Sequence, residues 1–185
     1  MKGDYKVEWV LETERLILRE ITEKDFDFIF ELEERAESYK YEMEGKPEKD
    51  KVTESCKYYI EAVKKLPEEG AIKFIVCNKK SEKMGYVSVW CNWEKTKEWE
   101  IGYKFLREYW GSGYASEATA KVVEFAFNEL SIHKLMAFIN YENKNSAALA
   151  KRIGMVQEGH MREARIIDGK WNDELVFTLL KSDLG

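Results

Sequence analysis

KEWEIGYKFLREYWGSGYASEATAKVVEFAFNEL, residues 97–130, is the stretch whose reading decides the fold. Lys97 to Phe105 alternate apolar and polar side chains, the pattern of a strand with one buried face. From Tyr114 onward, Ala115, Ala118, Val122, Phe125 and Ala126 recur at helical spacing. Between them lies Trp110-Gly111-Ser112-Gly113. Two glycines one residue apart allow a tight turn and leave backbone N–H groups exposed at a helix N-terminus. Unpaired amides and the helix dipole favour an anion there, and a phosphate or pyrophosphate is the natural guest.

Two familiar phosphate loops do not match. A P-loop needs Lys followed by Ser or Thr after its glycines, and none follows here. A dinucleotide fingerprint needs a third glycine where this chain has Ser116. Taken alone, Gly-Ser-Gly also reads as a plain strand-to-helix connection.

The rest of the chain bounds the class. Its 185 residues suit one domain, 1–185, with a sizeable core, and 44% hydrophobic residues indicate a globular protein. The formal net charge of −5 argues against direct nucleic-acid binding and is compatible with a cationic substrate. Cys56, Cys77 and Cys91 show no metal or redox spacing and read as reduced thiols, so no metal and a cytoplasmic location are expected. The N-terminal residues lack the apolar core of a secretory signal, and no apolar run reaches transmembrane length, so no membrane partner is expected.

Outward from the central stretch, residues 15–21 read as a strand and Thr22 as the cap of a helix over about Glu23–Ala36, with Asp25 in its first turn. A loop follows over 37–49, then a helix over about Asp50–Leu66 stopped by Pro67. Residues 71–78, 84–93 and 98–105 form an antiparallel run. After the long helix come a buried strand at 134–140, an alanine-rich helix from Asn143 to Ile153 and a final hairpin, 155–168 with 170–180, turned at Asp168-Gly169. The expectation is an α/β (α+β) fold with a mixed, mostly antiparallel sheet of about seven strands and helices on both faces.

This order, with ETERLILR at 12–19, EIGYKF and YWGSGYASEA within 100–118, ENKNSAALAKRIGM at 142–155 and EGHMREARIIDGKWND at 158–173, resembles the GNAT superfamily of acyl-CoA-dependent N-acetyltransferases. The Rim-type branch, which includes ribosomal-protein N-terminal acetyltransferases, is the most similar, and the likeness spans about residues 12–181. It implies acetyl-CoA as co-substrate and a primary amine as acceptor. It also implies a sheet splayed between the fourth and fifth strands, 98–105 and 134–140, with the pantetheine in the gap. Tyr109, Trp110, Gly111, Ser112, Gly113 and Tyr114 would hold the pyrophosphate, and Ile101, Gly102 and Tyr103 would meet the pantetheine or the oxyanion through their backbone. Asn143 would bond the pantetheine arm; structurally it also reads as a helix N-cap. The chain departs from the family at Glu108, where Gln or Arg is usual, and at Ala150, where many members carry an acidic tyrosine.

Acetyl transfer needs a neutral amine, a stabilised oxyanion and a proton for the departing thiolate. At pH 7, freeing a lysine-like amine costs about 4–5 kcal/mol, but an α-amine only about 1 kcal/mol. A modest base therefore suffices for an N-terminal acceptor. Glu100 is the expected base and Glu98, on the same strand face, its rival; both also read as solvated carboxylates. Ser146 matches the Rim-type serine that would donate to the sulfur; as a bare helix serine it would instead bond its own backbone. Direct transfer is expected, since no cysteine has a histidine nearby in sequence.

Neither His133 nor His160 has a metal spacing; the first reads as a loop residue, the second as a packing residue. Glu42, Glu44, Glu158 and Asp173, with Tyr39, Tyr41, Trp90 and Trp171, are candidates for an acceptor mouth. The acceptor is left open between a protein N-terminus and a small molecule, including a polyamine or an aminoglycoside. A non-catalytic acyl-CoA sensor on the same fold and a homodimer also stay open.

Overall fold

The computed structural model describes residues 8–43 and 45–184. Its strands are β1 (Val10–Glu12), β2 (Leu16–Glu20), β3 (Ala71–Asn78), β4 (Lys83–Trp93), β5 (Glu98–Phe105), β6 (Lys134–Asn140), β7 (Val156–Ile167) and β8 (Lys170–Leu180). They form one sheet in the order β1-β2-β3-β4-β5-β6-β8-β7, antiparallel throughout except at β5–β6. The helices are α1 (Phe26–Glu33), α2 (Ala36–Tyr39), α3 (Lys49–Ala62), α4 (Tyr114–Asn128) and α5 (Lys144–Arg152).

β3 is buried on both faces, as its nearly continuous apolar sequence requires of a central strand. Leu16, Leu18, Phe74, Val87, Val89 and Ile101 pack under Ala118, Val122, Phe125 and Ala126 of α4. On the opposite face, Ile75, Cys77 and Tyr86 meet Ile29 and Leu32 of α1 and Val52 and Cys56 of α3. Each fully buried Leu, Ile or Phe contributes roughly 1.5–3 kcal/mol, and these two faces fix which side of the sheet each helix covers. Among the described residues, no helix is long and apolar enough to cross a membrane.

The expected elements are present, with local differences. An eighth strand, β1, precedes the seven; three half-exposed residues carry too little alternation to signal a strand. The expected helix 23–36 is a 3-10 turn, Glu23–Asp25, followed by α1, which ends at Glu33. After Leu32 the sequence Glu-Glu-Arg offers no apolar side chain to bury, and Arg35 is extended before α2. The second expected helix also ends early, at Ala62, and a 3-10 turn, Val63–Lys65, completes it. Asp168 and Gly169 both have positive φ, as the tight hairpin turn demands.

Asp25 anchors the start of α1 to the sheet. Its fully buried carboxylate accepts two bonds from Arg19, each 2.8 Å, one from Lys83 at 2.7 Å and one from the Thr22 amide at 2.9 Å. Burial opposes the charge, but these donors together hold its pKa far below the usual carboxylate range.

Candidate active site

The glycine loop leaves β5 through a 3-10 turn, Arg107–Tyr109, and Trp110 pins it by donating Nε1–H to the Phe105 carbonyl at 2.8 Å. Gly111 and Gly113 have φ of 75° and 82°, and Gly113 is the N-cap of α4 without any side-chain cap. Among the described residues, the N–H groups from Gly111 to Ser116 have no acceptor, while Glu117 N–H is the first to bond back, to Gly113. The result is an exposed cradle of donors at the positive end of a fifteen-residue helix.

Side chains far away in sequence brace this cradle. Arg15, on the turn before β2, bonds the Ser112 carbonyl at 3.1 Å and the Glu117 carboxylate through Nε at 2.6 Å, and lies 4.3 Å over the Tyr114 ring. Thr13 Oγ1–H donates to the same carboxylate at 2.5 Å. Arg152 of α5 donates to Ser116 Oγ at 2.8 Å. Glu108 bonds Arg35 at 3.3 Å, so its charge is matched outside the turn. Arg15, Glu117 and Arg152 were not legible as site residues, because no local spacing links positions 36 to 102 residues apart. These donors suit a diphosphate, and Arg152, whose partner is the neutral Ser116 hydroxyl, supplies positive charge that Glu108 does not.

Next to the cradle the sheet opens. β5 and β6 pair in parallel only at Glu98–Lys134, Trp99–Leu135 and Glu100–Met136. Beyond Glu100 the facing edges of the two strands are unpaired, with Ile101, Gly102 and Tyr103 on one side. A Cβ at Gly102 would lie 3.1 Å from the Trp90 ring, so the absence of a side chain there keeps the indole in place. Asn143 caps α5, accepting from Ser146 N–H at 3.1 Å, and its Nδ2 amide has no partner among the described residues. The Ser146 hydroxyl does not bond its own helix; it lies 2.8 Å from the Tyr103 hydroxyl. The Ser146 carbonyl, at 3.2 Å, is a second acceptor within reach of the single Tyr103 proton, and burial pushes the phenol's pKa up to about 12. Ala150 is sealed in the core and carries no group that could donate a proton.

Glu100 occupies the last paired position before the strands part. It is half-buried, and Asn92 Nδ2–H donates to its Oε2 at 2.9 Å. Burial raises its pKa, and nearby Glu174 adds to the rise, against the lowering effects of Asn92, Arg165 and Trp90. Glu174 is itself buried and paired with Arg165. Glu98 is partly exposed and makes no side-chain hydrogen bond among the described residues. The same sheet face buries Lys73 between the rings of Tyr59 and Tyr86, 4.5 and 4.2 Å from its ammonium.

The proposed acceptor carboxylates already have partners. Glu42 meets Lys104 at 3.3 Å, Glu158 meets Lys134 at 3.4 Å, and Asp173 meets His160 at 2.7 Å. Glu44 lies outside the described residues. Tyr41 reaches the Glu142 carbonyl at 3.4 Å, Tyr39 and Trp90 are partly buried, and Trp171 is 61% exposed at the hairpin tip. His133 is an exposed loop residue, and the exposed His160 packs by stacking on Tyr141, with ring centres 5.0 Å apart. Among the described residues, no group of three or more His, Cys, Asp or Glu could hold a metal ion. The thiols of Cys56, Cys77 and Cys91 are raised by burial, Cys56 to about 11, which makes them poor nucleophiles.

Comparison with known proteins agrees with this geometry. The family model described as "Acetyltransferase (GNAT) domain" matches residues 15–156. The protein named as the uncharacterized N-acetyltransferase p20 of Bacillus licheniformis is 30% identical over 94% of this chain and 97% of its own. Two solved structures superpose with TM-scores of 0.81: the ribosomal-protein-S5-alanine acetyltransferase of Vibrio fischeri, at 22% identity over 96% of this chain and 99% of that one, and the spermidine N-acetyltransferase of Vibrio cholerae in complex with CoA and spermine, at 23% identity over 92% and 98%. The chain belongs to the GNAT acetyltransferase family and is an acyl-CoA-dependent N-acetyltransferase.

Proposed function

We propose that the protein transfers an acetyl group from acetyl-CoA to a primary amine by direct attack, and that the acceptor is a protein N-terminal α-amine. The carrying observation is the alignment of three features along β5: the amide cradle, the unpaired edge from Ile101 to Phe105, and Glu100 where that edge begins. From Glu100 to Phe105 the strand spans about 17 Å at roughly 3.4 Å per residue, commensurate with an extended pantetheine arm.

The coenzyme supplies the activated acyl group as its thioester. Backbone amides from Gly111 to Ser116 bind its diphosphate, and the Asn143 amide and the β5 edge hold its arm. Glu100 takes the amine proton, directly or through water, and its half-burial brings its basicity toward neutral pH. The backbone N–H of Ile101 or Gly102 faces the developing oxyanion. Ser146 donates to the departing sulfur.

The acceptor choice rests on charge. A polyamine needs carboxylates free to meet several cations, and Glu42 and Glu158 each meet a lysine of this chain, while Asp173 bonds His160 and the Glu163 amide. Such surface pairs are weak, but they lower the net negative potential at the mouth. An α-amine carries one charge and costs little to deprotonate.

Acetyl-CoA turnover against a panel of N-terminal peptides, polyamines, aminoglycosides and amino acids tests this reading. Peptide turnover is expected to dominate. Preference for a polyamine would overturn the acceptor assignment, and saturable CoA binding without turnover on any amine would instead support a sensor.

A further inference from the structure

Ala150 leaves the departing sulfur without the tyrosine that many acetyltransferases of this fold use, yet a phenol reaches the same neighbourhood from another element. Tyr103 belongs to β5, and Ser146 to α5, across the mouth of the splay. Their hydroxyls lie 2.8 Å apart, and either can be the donor. The Ser146 carbonyl, at 3.2 Å, is the longer of the two acceptors within reach of the one Tyr103 proton. This is the side-chain hydrogen bond that joins β5 to α5 over the gap among the described residues.

We propose that Tyr103 is a positioning residue for acyl transfer: its hydroxyl holds Ser146 Oγ and, by donating to it, turns the serine proton toward the leaving sulfur. The inference rests on the functional reading above, which places the coenzyme in the splay. A lone serine hydroxyl rotates freely and, within a helix, turns back to a carbonyl of the preceding turn. With a phenol donating to its oxygen, the serine has its acceptor site filled and its own proton left to aim elsewhere. Chained hydroxyls also polarise one another, so the serine becomes a stronger donor than it is alone.

The atoms balance as follows. The acceptor nitrogen bonds the acyl carbon and gives a proton to Glu100 or water; the carbon–sulfur bond breaks with its electron pair on sulfur. Ser146 stabilises that thiolate by a hydrogen bond, and solvent returns one proton to it, matching the one released. Tyr103 keeps its own proton throughout, consistent with a phenol of high pKa.

Tyr103→Phe keeps the ring and its packing while removing the hydroxyl, and CoA itself is the probe. The thiol of bound CoA is titrated by the ultraviolet absorbance of its thiolate, in the wild type, Tyr103→Phe, Ser146→Ala and the double variant. A serine donor aimed at sulfur lowers the bound thiol pKa, and Tyr103→Phe is expected to raise it again by about one pH unit. The double variant should match Ser146→Ala, because Tyr103 acts through the serine. In turnover, Tyr103→Phe should lower kcat about tenfold with an unchanged KM for acetyl-CoA. Equal thiol pKa values in the wild type and Tyr103→Phe, with CoA bound to both, would overturn this inference and leave the acetyltransferase reading standing. No CoA binding to the wild type would overturn both.

Discussion

Arg15 and Glu117, 102 residues apart, meet through Nη2 at 2.5 Å and Nε at 2.6 Å, and so tie the turn before β2 to the first turn of α4. The same guanidinium holds the Ser112 carbonyl and covers Tyr114. An exposed ion pair adds little by itself, but this one joins a carbonyl, a ring and Thr13 in one network around the amide cradle. Arg15→Ala is expected to weaken CoA binding by about fivefold to tenfold, through a looser loop and a Glu117 carboxylate left unpaired beside it, with the thermal midpoint shifted only slightly. Calorimetric titration with CoA measures this, and an unchanged Kd would remove Arg15 from the site.

Glu100→Gln should lower kcat by about a hundredfold or more while CoA affinity stays within about twofold. The pH profile carries the sign. A raised carboxylate pKa means that the base form is lost as pH falls through that value, so activity rises with pH across it. Glu100→Gln should lack this limb. An identical profile in Glu100→Gln and the wild type would exclude Glu100 as the base and return Glu98 or a water chain to consideration.

Gly111→Ala and Gly113→Ala test the loop backbone. A methyl at Gly111 meets nothing within 4 Å, and one at Gly113 meets Arg15 Nη2 at 3.5 Å, an ordinary contact. The penalty is therefore conformational, about 1–2 kcal/mol at a left-handed position. Each variant should bind CoA about tenfold more weakly because the cradle relaxes to avoid the strain. Tight binding in both would mean that the amides do not hold the ligand.

Asp25→Ala should destabilise the fold by about 3–5 kcal/mol, since it leaves Arg19 and Lys83 beside an emptied buried site. The native carboxylate pKa is depressed, so its stabilisation is fully present above the unfolded value of about 3.9 and is lost as pH falls below it. Denaturant midpoints measured at neutral and acidic pH should converge between the wild type and Asp25→Ala on the acid side. Parallel midpoints at all pH values would place the stabilisation elsewhere.

The element order, the glycine loop and the boundaries of β5 and β6 were legible because each rests on local pattern: alternation, helical spacing, or glycines where φ is positive. Asn143 was legible in the same way, since an N-cap is a property of one residue and the turn after it. The short α1 was less so, because a helix ends where its neighbours stop offering apolar surface, and only the packed structure reveals that surface. His160 shows the same limit: it reads as a packing residue, but its partner Tyr141, the residue after β6, had no trace in its own neighbourhood.

Local chemistry along the chain thus settled most of the strands and helices, the glycine turn before α4 and which family the protein joins, since backbone propensity and periodic burial act over a few residues. The folded arrangement alone settled that Arg15 braces the cradle, that Glu42 and Glu158 meet lysines of this chain, that Glu100 is half-buried beside Asn92, and that Tyr103 meets Ser146. Charge pairing, desolvation and hydroxyl contacts depend on distances of a few ångströms between residues that the chain keeps far apart, and only packing brings such distances into being.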